Sequence, residues 1–175
     1  AHGLGVKAVA SVAELNPAHV PTLVVVAVKP QSMASVLPDY AGMAARGTAF
    51  LSVAAGISMK AYEDGLGSST PIVRCMPNTP AAIGKGMLVY FNNVNVSEAL
   101  ELFVRKVLAC SGLVAKIEDE SLMDAVTAVS GSGPAYVFHF IECLTQAGKD
   151  AGLPDDVAAM LAMQTVMGAG ALAAN

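Results

Sequence analysis

Charge is scarce in this chain. Of its 175 residues only 14% are charged, against 54% hydrophobic, where an ordinary domain carries roughly 25% charged residues. The formal net charge is −4. No basic excess is present to neutralise a phosphate backbone, so nucleic acid is not an expected partner. Cysteine is rare too. Cys75, Cys110 and Cys143 form no C-x-x-C pair and leave one thiol over if two bonded, which fits a reducing compartment with each cysteine a small core residue. The three histidines, His2, His19 and His139, are far apart. His139-Phe-Ile-Glu142 lacks the second histidine of a metalloprotease helix, so no metal site is expected.

Several signals are missing. No charged n-region opens the chain, so a secretory signal is not evident. The chain starts at Ala1 rather than Met and enters a structural pattern at once, which reads as a piece of a longer protein. Val157–Asn175 carries no charge and is nearly as long as a membrane span. It is rich in Ala and Gly and contains Gln164 and Thr165. A helix buried between subunits is therefore expected, with no membrane partner.

A dinucleotide fold should carry G-x-G-x-x-G between its first strand and helix, and no such turn occurs in that context. Gly168-Ala-Gly-Ala-Leu-Ala173 fits a looser form but follows a helical pattern, where small residues serve close helix packing. Gly3-Leu-Gly5 precedes no helix. Gly131-Ser-Gly133 is one residue short of G-x-S-x-G on either side, and no Asp-then-His order follows. A serine hydrolase is excluded on that basis, and Ser130 and Ser132 read as backbone caps.

What is there is periodic. Gly3–Ser11 is a weakly alternating strand candidate, and Val12–Asn16 a brief helical turn. Leu23–Val28 has no polar residue and predicts a strand covered on both faces. Lys29-Pro30 ends it, because a residue before proline is pushed out of the helical region. Gln31–Ala45 predicts a helix kinked at Pro38, with Met33, Val36, Leu37 and Tyr40 on one side.

Further strands are predicted at Thr48–Val53, Pro71–Met76, Met87–Phe91 and Leu113–Ile117. The second helix is capped by Ser58, with Ile57 and Tyr62 as a hydrophobic staple. The third, Ser97–Cys110, shows Leu100, Phe103, Val104, Val107 and Leu108 on one face and stops at Gly112. Ser121-Leu-Met-Asp124 has capping-box spacing and predicts a helix from Leu122.

The stretch Asp124–Tyr136 divides the chain. Before it, strands and helices alternate; after it, everything to Asn175 is compatible with helix. Its Ser130-Gly-Ser-Gly133 run separates two apolar segments and allows close backbone approach. Pro134 then suits the start of a helix running to about Ala151, with Val137, Ile141, Leu144 and Gly148 on one face. Gly152-Leu-Pro154 leads into the last helix. The fold class is α/β: an incomplete, Rossmann-like, mostly parallel sheet followed by an all-helical domain. Such sheets bind nucleotides at the carboxyl ends of their strands. Ala27-Val-Lys-Pro30, Ala54-Ala-Gly56 and Met76-Pro-Asn-Thr-Pro80 lie at such ends.

Taken in order, Ala27-Val-Lys-Pro-Gln31, Ala54-Ala-Gly-Ile57, Arg74-Cys-Met-Pro-Asn-Thr-Pro80 and Asp124–Tyr136 closely resemble pyrroline-5-carboxylate reductases. The resemblance implies an NAD(P)-binding Rossmann-like domain over residues 1–120 and a helical dimerisation and substrate domain over 121–175. It implies that both are truncated, with a Gly-rich turn before Ala1 and further helices after Asn175. The implied reaction is reduction of 1-pyrroline-5-carboxylate to L-proline by NADPH or NADH, the last step of proline biosynthesis, in the cytoplasm.

By the same resemblance, Ala27, Val28, Lys29 and Pro30 run beneath the cofactor. Ala55, Met76 and Asn78 lie beside its nicotinamide half, and Glu120 approaches it. The substrate-anchoring loop falls beyond Asn175, so no catalytic residue is expected within the chain, and the 175-residue piece alone is expected to be inactive. The implied partners are the small-molecule substrate and a second copy of the chain, larger rings of dimers being compatible with this. Two alternatives stay open: a related imine or hydroxy-acid oxidoreductase, and an inactive dimerisation fragment. Lys149, far along its helix, disfavours the hydroxy-acid reading.

Overall fold

The computed structural model describes residues 5–16 and 18–175. They form two compact units, one reaching Thr127 and the other starting at Ala128. The first unit is built on a five-stranded sheet in sequential order. Its strands are β1 (Leu23–Val26), β2 (Ala49–Ser52), β3 (Ile72–Met76), β4 (Gly86–Asn92) and β5 (Gly112–Lys116). Its helices are α1 (Met33–Ala44), α2 (Met59–Leu66), α3 (Glu98–Ala109) and the short α4 (Met123–Val126).

Pairs β1–β2, β2–β3 and β4–β5 are parallel and β3–β4 is antiparallel. The connections explain the exception. A parallel crossover needs a dozen or more residues, and residues 77–85 between β3 and β4 hold only a 3₁₀ turn at Thr79–Ile83. The sheet is thus mostly parallel, as its β-branched runs predict.

Strand alternation sorts the core into two layers. Val26, Phe50 and Ile72 pack with Met33 and Leu37 of α1 and with Met59, Tyr62 and Leu66 of α2. Leu51, Val73 and Cys75 pack with Leu88, Tyr90 and the α3 residues Val104 and Leu108. The α1–α2 approach explains a glycine inside a helix, which intrinsically costs about 1 kcal/mol. A Cβ on Gly65 would sit 3.0 Å from the Leu37 Cβ.

Some expectations are corrected. Residues 5–11 form no strand; Val9 breaks their alternation, and the two residues before Gly5 lie outside the described set. The strand at 23–28 ends at Val26 and is not covered on both faces. It lies at the sheet edge, and Val25 is 53% exposed. The α3 face is narrower than its sequence suggests, for Phe103 and Val107 flank the contact stripe and stay partly in solvent. Gly112 does not terminate α3, whose C-cap is Cys110. It opens β5 at φ 148°, where a Cβ would lie 2.0 Å from the Gly86 carbonyl oxygen. Cys110 and Cys143 are exposed, and only Cys75 is a core residue.

The capping at residues 119–122 also differs. Asp119, not Ser121, caps the turn, accepting from the Ser121 amide at 2.8 Å. That bond holds the exposed Asp119 carboxyl below its usual range. The predicted Ser58 cap forms, accepting from Ala61 N at 3.3 Å, and Ser97, the first residue of the predicted third helix, proves to be its cap, accepting from Leu100 N at 3.3 Å. Residues 127–131 adopt a π-helix, so Asp124–Tyr136 is a distorted helical passage whose widened coil takes in Ser130 and Gly131. Single π turns of this kind recur at functional positions.

The second unit holds α5 (Gly133–Asp150), with Pro134 in its first turn, and α6 (Asp155–Ala173). Gly148 lets them meet, since its Cβ position lies 3.2 Å from the Ala158 Cβ. Lys149 Nζ reaches Asp155 at 2.9 Å. By contrast, Gly168 and Gly170 face open space, so their close-packing role is not used within this chain. Among the described residues α6 alone is long and apolar enough to cross a membrane, and 11% of that window is buried.

Candidate functional site

The carboxyl ends of β1, β2 and β3 share one edge of the sheet because these strands run parallel. Val26, Ser52 and Arg74 stand side by side in register. The segments that follow carry the predicted site residues. Ala27 and Lys29 are exposed, Val28 and Pro30 half-buried. Lys29 precedes a 3₁₀ turn over Pro30–Ser32 without a side-chain capping bond. Ala55 is exposed next to Gly56, whose φ of 72° turns the loop.

Met76 is 6% exposed and chiefly a core residue. Asn78 does not cap its own turn with its side chain. Its Oδ1 instead accepts from Met87 N at 2.9 Å, tying the 77–86 loop across to the start of β4. Cys75 beside them is inert, because burial pushes its thiol up to about 12.

Glu120 is placed by contacts that sequence could not show. Its Oε1 accepts from the Met59 amide at 2.6 Å and from the Arg74 guanidinium. A carboxylate at the first turn of a helix is favoured by the helix dipole, but the helix is α2, not the one that follows Glu120. Arg74 is the residue the sequence reading missed. Its signal was present: it is the one charge in Ile72-Val-Arg-Cys-Met76, a strand buried along its whole length. A buried cation requires a partner, and the partner is 46 residues away.

Arg74 shares a sheet face with Ser52 and with the α2 side chain above them. Ser52 Oγ and Tyr62 Oη lie 2.5 Å apart, and Ser52 Oγ also accepts from Ala54 N at 3.2 Å. Burial raises the Tyr62 phenol's pKa, opposed by the Ser52 bond and by the Arg74 charge. Tyr62 therefore stays a neutral donor, and Ser52 can accept from it. Gly56, Ser58, Arg74, Glu120, Ser121, Met123 and Asp124 line a cleft of about 360 Å³. Of the predicted residues, Glu120 alone lines it. No group of three metal-ligating side chains occurs among the described residues.

Parallel strands with loops clustered at their carboxyl ends, followed by a helical unit, define a Rossmann-like α/β protein with an appended helical domain. Comparison with known proteins narrows the class. Residues 120–175 match the family described as pyrroline-5-carboxylate reductase dimerisation. The chain is 41% identical over 151 residues to the pyrroline-5-carboxylate reductase of Pseudomonas aeruginosa, covering 86% of this chain and 55% of that protein. The Aquifex aeolicus reductase is 41% identical over 153 residues, with the same coverage.

Among solved structures, the Coxiella burnetii pyrroline-5-carboxylate reductase aligns at a TM-score of 0.82 and 33% identity, over 87% of this chain and 57% of that one. The Plasmodium falciparum pyrroline carboxylate reductase, solved with NADP bound, aligns at 0.77 and 37% identity, over 82% and 56%. Over most of its length the chain is similar to pyrroline-5-carboxylate reductases. It spans about half the length of the curated relatives it matches.

Proposed function

We propose that the protein catalyses NAD(P)H-dependent reduction of 1-pyrroline-5-carboxylate to L-proline, as a cytoplasmic homodimer. The observation that carries this reading is the convergence of three loops, Ala27–Pro30, Ala54–Ser58 and Met76–Asn78, at one edge of the sheet. The proposed division of labour is cofactor binding over residues 1–120 and association with substrate binding over 121–175.

The residues present fit a nicotinamide cofactor. A flat ring needs shallow, small-sided walls, and Ala27, Ala55 and Gly56 supply exposed positions with little side chain. Met76 and Pro77 give an apolar floor that sheds water, and Asn78 fixes the loop through its bond to Met87 N. When bound, the reduced nicotinamide supplies a hydride to the imine carbon. The chain's part is to hold the reacting faces dry and in near-attack geometry, the largest contribution open to a site without a nucleophile. Lys29, exposed at the end of β1, stands where a phosphate or ribose can be met. Glu120 frames the mouth between α2 and the segment after β5.

Association is supported by the apolar surface of the second unit. Tyr136, Val137, Phe140, Val166, Ala169 and Gly170 line an apolar cleft of about 550 Å³ between α5 and α6. Its apolar lining suits an apolar helix face of a second copy.

The test is NADPH oxidation, followed at the nicotinamide absorbance, by the purified intact protein rather than the 175-residue piece, with pyrroline-5-carboxylate. Substrate-dependent oxidation with formation of proline is expected. A folded, dimeric protein that binds NADPH and makes no proline overturns the reading.

A further inference from the structure

We propose that Arg74 is a positioning residue for the Ala54–Ser58 loop, acting through Glu120. This rests on the reading of that loop as part of the cofactor site. The loop is held at both ends by polar groups, Ser52 buried and Glu120 half-buried. At its start, Val53 N donates to Val26 O at 3.1 Å and Ala54 N to Ser52 Oγ at 3.2 Å. Ser52 Oγ is itself braced by Tyr62 Oη. At its end, Met59 N donates to Glu120 Oε1 at 2.6 Å. Between these points Ala55 and Gly56 are exposed and carry no side-chain anchor of their own.

Glu120 can serve as the second anchor only while it stays turned toward α2. Its side chain is 31% exposed, and Arg74, with a side chain 9% exposed, is what holds it inward. A free carboxylate at that exposure would hydrate and leave the Met59 amide unpaired. Arg74 also lines the cleft, but Glu120 is its one ion-pair partner among the described residues. The arginine sits in an apolar strand, and its Nε is buried without a hydrogen-bond partner. An apolar residue would fill the same place in the layer more cheaply. The guanidinium therefore acts as a strut, running from the middle of β3 to the carboxylate that closes the loop.

A salt bridge that only stabilised the fold would change melting and leave the loop's relation to ligand intact. The strut predicts a more specific pattern. In the full chain, Arg74→Met should speed amide hydrogen exchange over residues 54–59 by about tenfold or more, with β2 and β3 still protected. It should raise KM for NADPH about tenfold while kcat moves less than about threefold. Arg74→Lys should recover part of both effects, since a lysine supplies the charge but not the fork.

Glu120→Gln gives the same comparison if Arg74→Met does not fold, because it keeps an oxygen for Met59 N and loses the ionic hold. Exchange at 54–59 within about twofold of the parent in folded variants overturns the proposal, as does a fall in kcat at unchanged KM. If the parent protein neither binds NADPH nor makes proline, the functional reading fails. The exchange measurement, made without cofactor, still decides the strut.

Discussion

The two units treat apolar surface in opposite ways. In the first, Phe50, Tyr62, Ile72 and Val104 are each 0% exposed, and helices cover the sheet in two layers. In the second, only Ala158 and Ala162 are buried, while Tyr136, Phe138, Phe140, Met160, Met163, Met167 and Leu172 are each more than half exposed. The contact between the two helices of this unit buries little of their apolar surface. Contiguous exposed apolar surface of this kind marks an interaction site. The scarcity of charge noted in the sequence is thus concentrated where a partner chain would sit. One unit buries its apolar side chains, and the other leaves most of its own exposed.

Truncating a buried side chain and an exposed one of the same type is the strongest way to break this contrast. Leu51 is 1% exposed and Leu172 is 77% exposed. Leu51→Ala should cost about 3 kcal/mol, from lost transfer energy and the cavity left behind. Leu172→Ala should change the stability of the first unit by less than about 0.5 kcal/mol. Urea unfolding followed by circular dichroism reads both. Equal losses would mean that the units are not energetically distinct.

The next effect concerns association. Phe140 is 57% exposed and lines the α5–α6 cleft. Phe140→Asp should weaken self-association by about 2–3 kcal/mol, the scale of an interface hot spot. The far-ultraviolet spectrum should not change. Sedimentation velocity at several concentrations measures this. A control, Phe103→Asp on the partly exposed flank of α3, should leave the oligomeric state as it is.

Legibility followed the same division. The strands of the first unit were readable because they are short, largely apolar runs with Gly, Pro or Asn nearby. Ser58 was readable as a cap because a cap and its helix are adjacent in sequence. The antiparallel β3–β4 step was implicit only in a short connection. Glu120 illustrates the limit. Its sequence neighbours point to the helix that follows, yet its contacts lie 46 and 61 residues away. Asp119 displaced Ser121 as cap because both can fold back on the same turn and only the geometry chooses. In the second unit, periodicity showed helices with much apolar surface but could not say which side faces another chain. The residues proposed for the cofactor edge came from family resemblance. Most of them, Ala, Val, Pro and Met, are of types that do not advertise a ligand.

A smaller effect lies in the acid stability of the first unit. Tyr90 Oη donates to Glu101 Oε1 at 2.7 Å, and Lys116 Nζ lies 3.3 Å from Glu101 Oε2. The Tyr90 bond, and then Lys116, hold the Glu101 carboxyl below its usual range. A carboxylate depressed in the folded state stabilises the fold above its unfolded pKa, roughly 4.3. That contribution fades as pH falls from there through the folded value. Tyr90→Phe should therefore cost about 1 kcal/mol near neutral pH, with the loss shrinking in acid. Unfolding free energies at pH 7 and near pH 3 test this. A difference between the two proteins that stays constant across that range contradicts it.

The smallest effect sharpens the contrast most directly. Gly168 and Gly170 lie in α6 with no atom within 4 Å of where a Cβ would stand. Within one chain nothing requires glycine at either place, and alanine is the better helix former by about 1 kcal/mol. In a Phe140→Asp background, where association is weakened, Gly168→Ala should raise helix stability by about 0.5–1 kcal/mol. In the associating parent, the added methyl group must fit against whatever lies on α6, and the gain should vanish or reverse. Thermal unfolding of the two proteins with and without Gly168→Ala, at matched concentration, separates these effects. If the substitution stabilises both equally, Gly168 faces solvent in the assembly and the interface lies on another side of α6. If it helps only the weakened variant, the small-residue stripe is where the second copy packs, and the open face of this unit is defined to within one helical turn.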